Sequence, residues 1–359
     1  MHQKRILQIG LIALAAILSL GTAVWAVVLR SQADPDNPNN QQASTDAPST
    51  ATNGPQLDAL PAPGSQRGSG AATAGSSSQP PTNRITDGTV LLPEFEHGPL
   101  IAPTTSPEAR TAIDAGLAAF TAGDLLAARA HYNRAARAGM SPADAANVFA
   151  ALRQITERTL FSNTVTSGEP YAEIVKVQPG DALERIARRH RTTHQLLQRI
   201  NNITDPTRLR AGQSVKVIKG PFAGIVTKSR FELAIYLGTD KDPFQTLIAV
   251  YPVGLGRDDS TPTGLWKVGE KLENPKFWGA SNLPPMEADD PKNPLGEHWI
   301  QLVGTRGEAA NRTDYGIHGT IEPDSIGKQT SLGCVRMRAD QVAEVYTLLT
   351  RGSTVLIRP

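Results

Sequence analysis

The chain beyond Pro221 consists of short apolar runs that turn-forming residues interrupt. Four candidate strands, separated by Gly, Pro, Asp and Asn, cover 224–228, 231–237, 246–253 and 265–270. Such spacing favours a β-sandwich or barrel-like domain over an alternating α/β sheet. One helix at 341–349 and a final strand at 354–357 complete the pattern. We therefore expect a mainly β domain over 222–359.

The N-terminal segment, residues 1–30, has the features of an export signal. An uncharged apolar run at 6–29 is long enough for a bilayer, which requires ~20 residues. Lys4 and Arg5 precede it, so the positive-inside rule predicts a cytoplasmic N-terminus and a chain that continues outside. A cleaved signal peptide is the alternative, because small residues occur at 23–26. We expect an uncleaved transmembrane helix, because apolar sequence continues past them.

Residues 31–105 are dominated by Pro, Ser, Asn, Gln, Gly, Ala and Thr. This composition cannot bury enough apolar surface to offset the entropy lost on folding, so we expect a disordered linker. At ~5–6 Å times the square root of the residue number, the linker would let the folded part range on the order of 50 Å from the membrane. That reach suits an insoluble, layered substrate.

Residues 106–165 predict an α-helical segment. Three amphipathic helices are expected at 107–121, 124–137 and 142–158. Ser106 and Ser141 each precede a proline and are suitable caps. The spacing resembles a tetratricopeptide repeat, in which small residues let two helices pack closely, at Gly116, Gly123, Ala128, Tyr132 and Ala135. A helical spacer and a peptide-binding module both remain open.

Residues 170–219 follow a strand, helix, helix, strand pattern. The runs at 174–177 and 215–218 predict short strands. Asp181 follows a Pro-Gly turn and can cap the first helix, and Asn201 ends the second.

This pattern resembles a LysM domain. The resemblance lies in a Gly-Asp turn at Gly180 and Asp181, a Leu followed by an Ile-Ala pair, Asn201, and a Gly-Gln before the last strand. It implies binding of N-acetylglucosamine-containing glycans, here peptidoglycan, with Gly180, Asp181 and Asn201 as the glycan-binding residues. A spacer with weak glycan affinity is the alternative.

Composition restricts the chemistry. The 36 Lys and Arg against 34 Asp and Glu give a formal net charge of +2. Nucleic acid is not an expected partner, because that affinity requires neutralising many phosphates. The single cysteine, Cys334, excludes an intrachain disulfide and a cysteine-rich metal site. We expect neither a cofactor nor a metal.

Cys334 and His318 are the candidate catalytic residues. A thiol with a reference pKa of about 8.5 is mostly protonated at neutral pH, so it requires a nearby base to form thiolate. His298 and His318 are the histidines of the C-terminal domain, and His318 is the better base because glycines flank it. Gly333 precedes Cys334 and leaves backbone N–H groups open, which predicts an oxyanion hole.

Each of the two residues has an ordinary structural alternative. A lone cysteine is commonly a small buried apolar group, and a lone histidine often completes a hydrogen bond in the core. Their joint occurrence in glycine-rich loops favours catalysis, since a structural role requires no glycine beside either residue.

The sequence His-Gly-Thr at 318–320, followed by Ser-Leu-Gly-Cys-Val-Arg at 331–336, resembles the YkuD family of L,D-transpeptidases. Further similarity occurs at 261–264, 274–275 and 293–296. The resemblance implies a YkuD-like β-sandwich over 222–359, for which an upstream LysM domain is a frequent companion. It implies that Cys334 attacks a peptidoglycan tetrapeptide stem, releases D-alanine and forms a thioester, which a second stem resolves into a 3–3 cross-link. Carbapenem-type β-lactams are the implied inhibitors.

The resemblance also implies roles for neighbouring residues. The main-chain carbonyl of Gly319 would orient the histidine. Ser331 would fix the cysteine loop, and Arg336 would steady that loop or bind a substrate carboxylate. Many members have a second histidine where this chain has Leu332, which leaves the resolving step less defined.

Residues 271–298 form a long insertion, which is either a lid over the groove for the stem peptide that acylates Cys334 or a surface loop. Trp266, Trp278 and Trp299 are candidates for lining the cleft, although tryptophans are commonly core anchors. The sequence does not decide between a lid and a surface loop, or between cleft-lining and core tryptophans.

Three functions compete for this chain. The first is the transpeptidase, the second a non-catalytic LysM wall anchor, and the third a related enzyme that transfers stems to a protein or water. The intact set of His318, Gly333 and Cys334 argues against the second. All three place the folded domains outside the cytoplasm, in the periplasm or wall of a bacterial cell envelope.

Overall fold

The computed structural model describes residues 98–280 and 283–359. The expected anchor at 1–30 and most of the expected linker at 31–105 lie outside these residues. Within the described part, no helix is both long and apolar enough to cross a bilayer. Ahead of the first helix, Ile101 forms a β-bridge with Met140.

Three helices follow, as the sequence predicts. They are α1 (Pro107–Thr121), α2 (Leu125–Ala138) and α3 (Pro142–Thr159). Side chains of Ser106, Asp124 and Ser141 cap them by accepting hydrogen bonds from backbone N–H groups of the first turn. Gly116 lets α1 approach α2 closely, because a Cβ there would lie 2.7 Å from the Tyr132 ring. The helices and their close contact are confirmed; a peptide-binding role stays a prediction.

The next segment has the predicted βααβ order. Its elements are β1 (Ala172–Lys176), α4 (Leu183–Arg189), α5 (His194–Asn201) and β2 (Ser214–Ile218). β1 pairs antiparallel with β2, and the Thr193 hydroxyl caps α5. The expected cap by Asp181 is wrong, because Ala182 occupies the N-cap of α4 without a side-chain hydrogen bond. The Asp181 carboxylate accepts from the Gln178 N–H instead and closes the preceding turn.

The C-terminal part is mainly β, as predicted. Its strands are β3 (Phe222–Thr227), β4 (Glu232–Leu237), β5 (Thr246–Pro252), β6 (Leu255–Gly256), β7 (Gly264–Glu273), β8 (His298–Gly307), β9 (Tyr315–His318), β10 (Gln329–Ser331), β11 (Val335–Arg336) and β12 (Thr354–Arg358). Helix α6 (Ala339–Leu348) precedes β12. Eight strands form one mixed sheet in the order β11-β9-β8-β7-β12-β3-β4-β5, and β6 pairs with β10. The sequence predicts a β-sandwich, whereas the structure has one continuous hydrogen-bonded sheet of eight strands.

Strands β3 and β4 are buried on both faces, because alternate residues enter two different apolar clusters. One cluster joins the βααβ segment and α6 to the sheet and includes Phe222, Val226, Leu233 and Ile235. The other joins the three N-terminal helices to the sheet and includes Ala223, Ile225, Ala234 and Tyr236. The helices α1–α3, the helical layer, thus share a core with the sheet, so they are not a detached spacer.

Buried polar groups attach the LysM domain to the helical layer. Arg129 on α2 forms a bidentate ion pair with Glu169, with both N–O distances at 2.8 Å. Glu169 also accepts from the Tyr171 N–H, at the entrance to β1. Lys216 on β2 is 1% exposed and donates to three carbonyl oxygens at and beyond the end of α3. These carbonyls belong to Thr159, Ser162 and Thr164.

Candidate active site

Cys334 and His318 come together at one edge of the eight-stranded sheet. β11 runs parallel to β9, and the register pairs Arg336 with His318 and Val335 with Ile317. Cys334 directly precedes this paired stretch. Both Cys334 and His318 line one cavity of about 610 Å³, the active-site cavity. The fold therefore brings the two predicted catalytic side chains to a single site.

The His318 ring is held in one tautomer. Its Nδ1 lies 2.6 Å from the carbonyl oxygen of Gly319, the partner that the resemblance implies. Because a carbonyl oxygen only accepts, Nδ1 carries the proton and Nε2 has a free lone pair. The Trp299 ring stacks on the imidazole, with 5.7 Å between centroids. Burial lowers the pKa of His318 to about 4, which keeps the ring neutral at pH 7.

The Cys334 thiol is also neutral in the resting site. Burial raises its pKa to about 11, and a backbone hydrogen bond from Gly316 opposes that rise only in part. Since the thiol pKa lies above the imidazole pKa, the pair rests as thiol and imidazole. Both pKa shifts favour the neutral thiol and the neutral imidazole, so attack by Sγ requires transfer of the thiol proton to a base.

Short hydrogen bonds fix the loop that presents Cys334. Ser331 Oγ donates to the Cys334 carbonyl at 2.7 Å and accepts from the Gly333 N–H at 3.1 Å. Thr261 Oγ1, on a residue 1% exposed, donates to the Gly333 carbonyl at 2.9 Å. Gly333 has a φ of +137°, and a Cβ there would lie 2.6 Å from the Tyr315 ring. A side chain at this position would displace the loop.

The Gly333 amide is therefore not open for substrate. The expectation of a free N–H at this residue is wrong, because the Ser331 hydroxyl already accepts its hydrogen bond. Gly333 supports the loop instead, as Ser331 does. Among the described residues, no group accepts the N–H of Cys334 itself.

Arg336 lines the same cavity. Its Nη1 donates to the Glu322 carboxylate at 2.7 Å, and its backbone N–H and carbonyl both bond to Gly254. These contacts agree with the loop-steadying role. Its Nε is buried and has no acceptor within the described part of the chain, which leaves a donor for a substrate carboxylate.

The segment between β7 and β8, at 274–297, forms one wall of the active-site cavity. Its lining residues are Pro275, Lys276, Phe277, Trp278, Gly279, Ala280, Leu283, Pro294 and Leu295. Asn293 is 2% exposed and fastens the segment by donating to the Pro275 carbonyl at 2.8 Å and accepting from the Leu295 N–H at 3.0 Å. The insertion thus belongs to the site, and its movement as a lid stays a prediction.

Of the remaining aromatic and histidine candidates, some line the active-site cavity and others do not. Trp299 and Trp278 line the cavity, and Trp278 is 78% exposed. Trp266 is fully buried and packs against a neighbouring ring in the core. His298 does not line the cavity, and its ring packs on Tyr346 at 4.8 Å. His298 is therefore not the base for the thiol.

Sequence reasoning missed two contributors to the site. Thr261 belongs to the similarity at 261–264, where the sequence reads Thr-Pro-Thr-Gly, and its hydroxyl links Gly333 to the β6 backbone. Gly316, one of the two glycines beside His318, bonds the thiol through its backbone. The Thr-Pro-Thr-Gly run was the available signal for Thr261.

The three predicted glycan-binding residues lie in the LysM domain, apart from the active-site cavity. Gly180 is exposed in a turn. Arg189 binds both oxygens of the Asp181 carboxylate, at 2.8 and 2.9 Å. The Asn201 amide bonds to the Lys216 backbone at 2.7 and 2.8 Å. The Asp181 and Asn201 side chains hold the domain together, and glycan contact stays a prediction for all three residues.

The buried imidazole makes stability depend on pH. The pKa of His318 falls from 6.5 to about 4 on folding. Between these values the unfolded chain binds more protons, so we expect the unfolding free energy to drop by on the order of 3 kcal/mol as pH falls from 7 to 4. Urea unfolding at both pH values measures this drop. His318→Gln should show a smaller drop, and an equal one would contradict the assignment.

Comparisons with known proteins cover these same regions. A family model described as the L,D-transpeptidase catalytic domain YkuD matches residues 225–357, and a LysM domain model matches 175–217. "Putative L,D-transpeptidase YqjB" of Bacillus subtilis is 39% identical over 136 residues, covering 37% of this chain and 69% of the relative. "Putative L,D-transpeptidase YkuD" of Bacillus licheniformis is 31% identical over 192 residues, covering 51% of this chain and 98% of the relative.

Among solved structures, an L,D-transpeptidase from Mycobacterium tuberculosis has a TM-score of 0.30 and 15% identity, covering 42% of this chain and 63% of that one. The helical layer lies outside both family-model ranges. The relative from Bacillus licheniformis is matched over nearly its whole length. This chain belongs to the YkuD family of L,D-transpeptidases and has a LysM domain ahead of its catalytic domain.

Proposed function

We propose that this chain is a cysteine transpeptidase that forms 3–3 cross-links in peptidoglycan. The proposal rests on one observation: Cys334 and His318 line one cavity, with Nδ1 of the histidine bound to a carbonyl and Nε2 free. Membership of the L,D-transpeptidase family supports the reaction class, and the LysM domain supports peptidoglycan as the polymer.

The first half-reaction acylates the enzyme. Nε2 of His318 takes the thiol proton while Sγ of Cys334 attacks the carbonyl carbon of the third residue in a tetrapeptide stem. The tetrahedral intermediate then expels the amine of the terminal D-alanine, which receives the proton from the imidazolium. A thioester and free D-alanine result.

The second half-reaction forms the cross-link. The side-chain amine of a third residue in another stem attacks the thioester carbonyl, gives a proton to His318 and expels the Cys334 thiolate. The thiolate takes that proton back, so the enzyme regains its starting state. The resulting amide joins two third-position residues.

The oxyanion of each intermediate requires a donor near Cys334. Ser331 occupies the Gly333 N–H, so we assign the N–H of Cys334 to this role. Arg336 is assigned to a stem carboxylate through its Nε, because Nε has no acceptor among the described residues whereas Nη1 is bonded to Glu322. Leu332 supplies no proton-transfer group, so His318 serves both half-reactions.

The proposed setting is the bacterial cell envelope. The apolar run at 6–29 would anchor the chain in the cytoplasmic membrane, and the segment at 31–105 would let the folded part reach the wall. Carbapenem-type β-lactams are the proposed inhibitors, because opening of their strained ring by Cys334 gives a thioester of the same kind.

Mass spectrometry of the full-length protein tests this function. After incubation with a carbapenem, we expect the wild type to gain the mass of the whole inhibitor and Cys334→Ala to remain unmodified. With disaccharide-tetrapeptide as substrate, we expect a dimer that has lost one D-alanine. A folded wild type without an adduct would contradict the thioester mechanism, and a tripeptide product without dimer would assign water as the acceptor.

A further inference from the structure

A second cavity, of about 580 Å³, lies between the LysM domain and the catalytic domain. Neither Cys334 nor His318 lines it. We call it the junction cleft; its lining includes Arg188, Arg191 and Thr192 from the LysM domain and Lys271, Tyr346 and Arg351 from the catalytic domain. It is distinct from the predicted glycan-binding turn, because Gly180 and Asp181 do not line it.

The lining of the junction cleft has more cationic than anionic side chains. Counted over the described residues, its lining has four cationic side chains and one carboxylate, those of Arg188, Arg191, Lys271, Arg351 and Glu184. Such an excess of positive charge attracts an anionic ligand and repels a cationic one. The cleft is therefore suited to a ligand that bears carboxylates.

Several donors in the cleft remain accessible to a ligand. The Arg188 side chain is exposed, and its guanidinium forms no hydrogen bond or ion pair within the described part of the chain. Arg191 pairs with Asp240 and Arg351 pairs with Glu270, but these pairs are solvent-exposed and hence weak. Thr192 also lines the cleft, but it is 4% exposed and its hydroxyl, which lacks a partner among the described residues, is buried rather than accessible.

The junction cleft shares a wall with the active-site cavity. On β7, Glu270 and Leu272 line the active-site cavity, whereas Lys271 between them lines the junction cleft. This alternation follows from the geometry of a strand, whose successive side chains point to opposite faces. Arg351 reaches Glu270 at 3.6 Å and so connects the two cavities at this edge.

The two walls of the cleft are fixed to each other. The Thr193 hydroxyl donates to the Thr347 carbonyl, and Gln195 Nε2 donates to Glu273 at 3.1 Å. Both domains also contribute to one apolar cluster. The cleft is thus preformed, which reduces the ordering cost of binding a ligand.

We infer that the junction cleft binds a carboxylate-bearing stem peptide of peptidoglycan, separate from the stem that acylates Cys334. This inference rests on the proposed function. Guanidinium groups match carboxylates in geometry and charge, and an uncross-linked stem ends in a carboxylate. A stem held here would keep a second strand beside the active-site cavity and favour cross-linking over hydrolysis.

Binding measurements on full-length Cys334→Ala protein, which cannot turn over, test the cleft. The probe is disaccharide-tetrapeptide, and the variant is Arg188→Glu. We expect about tenfold weaker binding than in the parent. Arg134→Glu, an equal charge change on an exposed residue of α2 outside the cleft, should bind as the parent does. An uncharged N-acetylglucosamine oligomer should bind all three proteins equally.

Two outcomes would overturn the inference. One is unchanged tetrapeptide affinity in Arg188→Glu, and the other is an equal loss of affinity for the uncharged oligomer, which would indicate a glycan contact. Carbapenem acylation, measured with Cys334 restored, separates this result from the proposed function. A wild type that fails to acylate would contradict the proposed function itself, whereas a wild type that acylates while Arg188→Glu keeps its tetrapeptide affinity would contradict only the cleft.

Discussion

Replacing His318 with glutamine should lower the rate of carbapenem acylation at pH 7 by about a thousandfold, within the range that general bases contribute. The pKa of Cys334 is raised to about 11, so without a base only about one thiol in ten thousand is ionised at pH 7. The wild type avoids this limit because Nε2 of His318 accepts the proton during attack.

The dependence of the acylation rate on pH should differ between the wild type and His318→Gln. We expect the His318→Gln rate to rise about tenfold per pH unit toward the thiol pKa. The wild-type rate should be nearly level from pH 5 to 8, since the histidine pKa is about 4. Rapid-mixing kinetics with a chromogenic β-lactam measures both. His298→Gln is the matched control and should react as the wild type does, because His298 lies outside the active-site cavity. Parallel profiles for wild type and His318→Gln would exclude the assigned base.

Replacing Arg129 with alanine should lower the unfolding free energy by about 3–5 kcal/mol, because it leaves a buried charge without a partner. The Glu169 side chain is fully buried, and both of its oxygens bind Arg129 at 2.8 Å. Urea unfolding followed by circular dichroism measures the loss.

Two further variants identify the cause of that loss. Arg134→Ala, an exposed arginine on the same helix, should change stability by less than about 0.5 kcal/mol. The double variant Arg129→Met with Glu169→Leu should recover much of the loss, since apolar side chains replace a buried pair at little net cost. A double variant no more stable than Arg129→Ala would show that the packing around Arg129, and not the orphaned charge, dominates.

Local signals explain why much of the fold was predictable. The helical layer was predicted from its caps, because Ser106 and Ser141 act through hydrogen bonds within one turn of the chain. The LysM domain was predicted because its pattern is contained in fewer than fifty residues. Cys334 and His318 were predicted because a short motif includes both.

Contacts between distant residues were not predictable in the same way. Nothing in the sequence near Arg129 indicates Glu169 as its partner, since the pairing depends on how α2 meets the segment before β1. The order of the sheet depends on β12 inserting between β3 and β7. Gly333 was expected to offer a free amide, but the Ser331 hydroxyl two residues earlier accepts it, which only the loop geometry reveals.

The helical layer determines where this protein can be cut. A fragment that keeps only the two family-model ranges lacks α1–α3. The apolar residues of β3 and β4 that these helices cover would then be exposed to water. Proteins with a large exposed apolar surface are prone to aggregation. The shortest fragment that retains this cover begins ahead of Pro107. Because the Leu100 backbone bonds to Ala136 and Met140, fragments for crystallisation or screening should include Leu100.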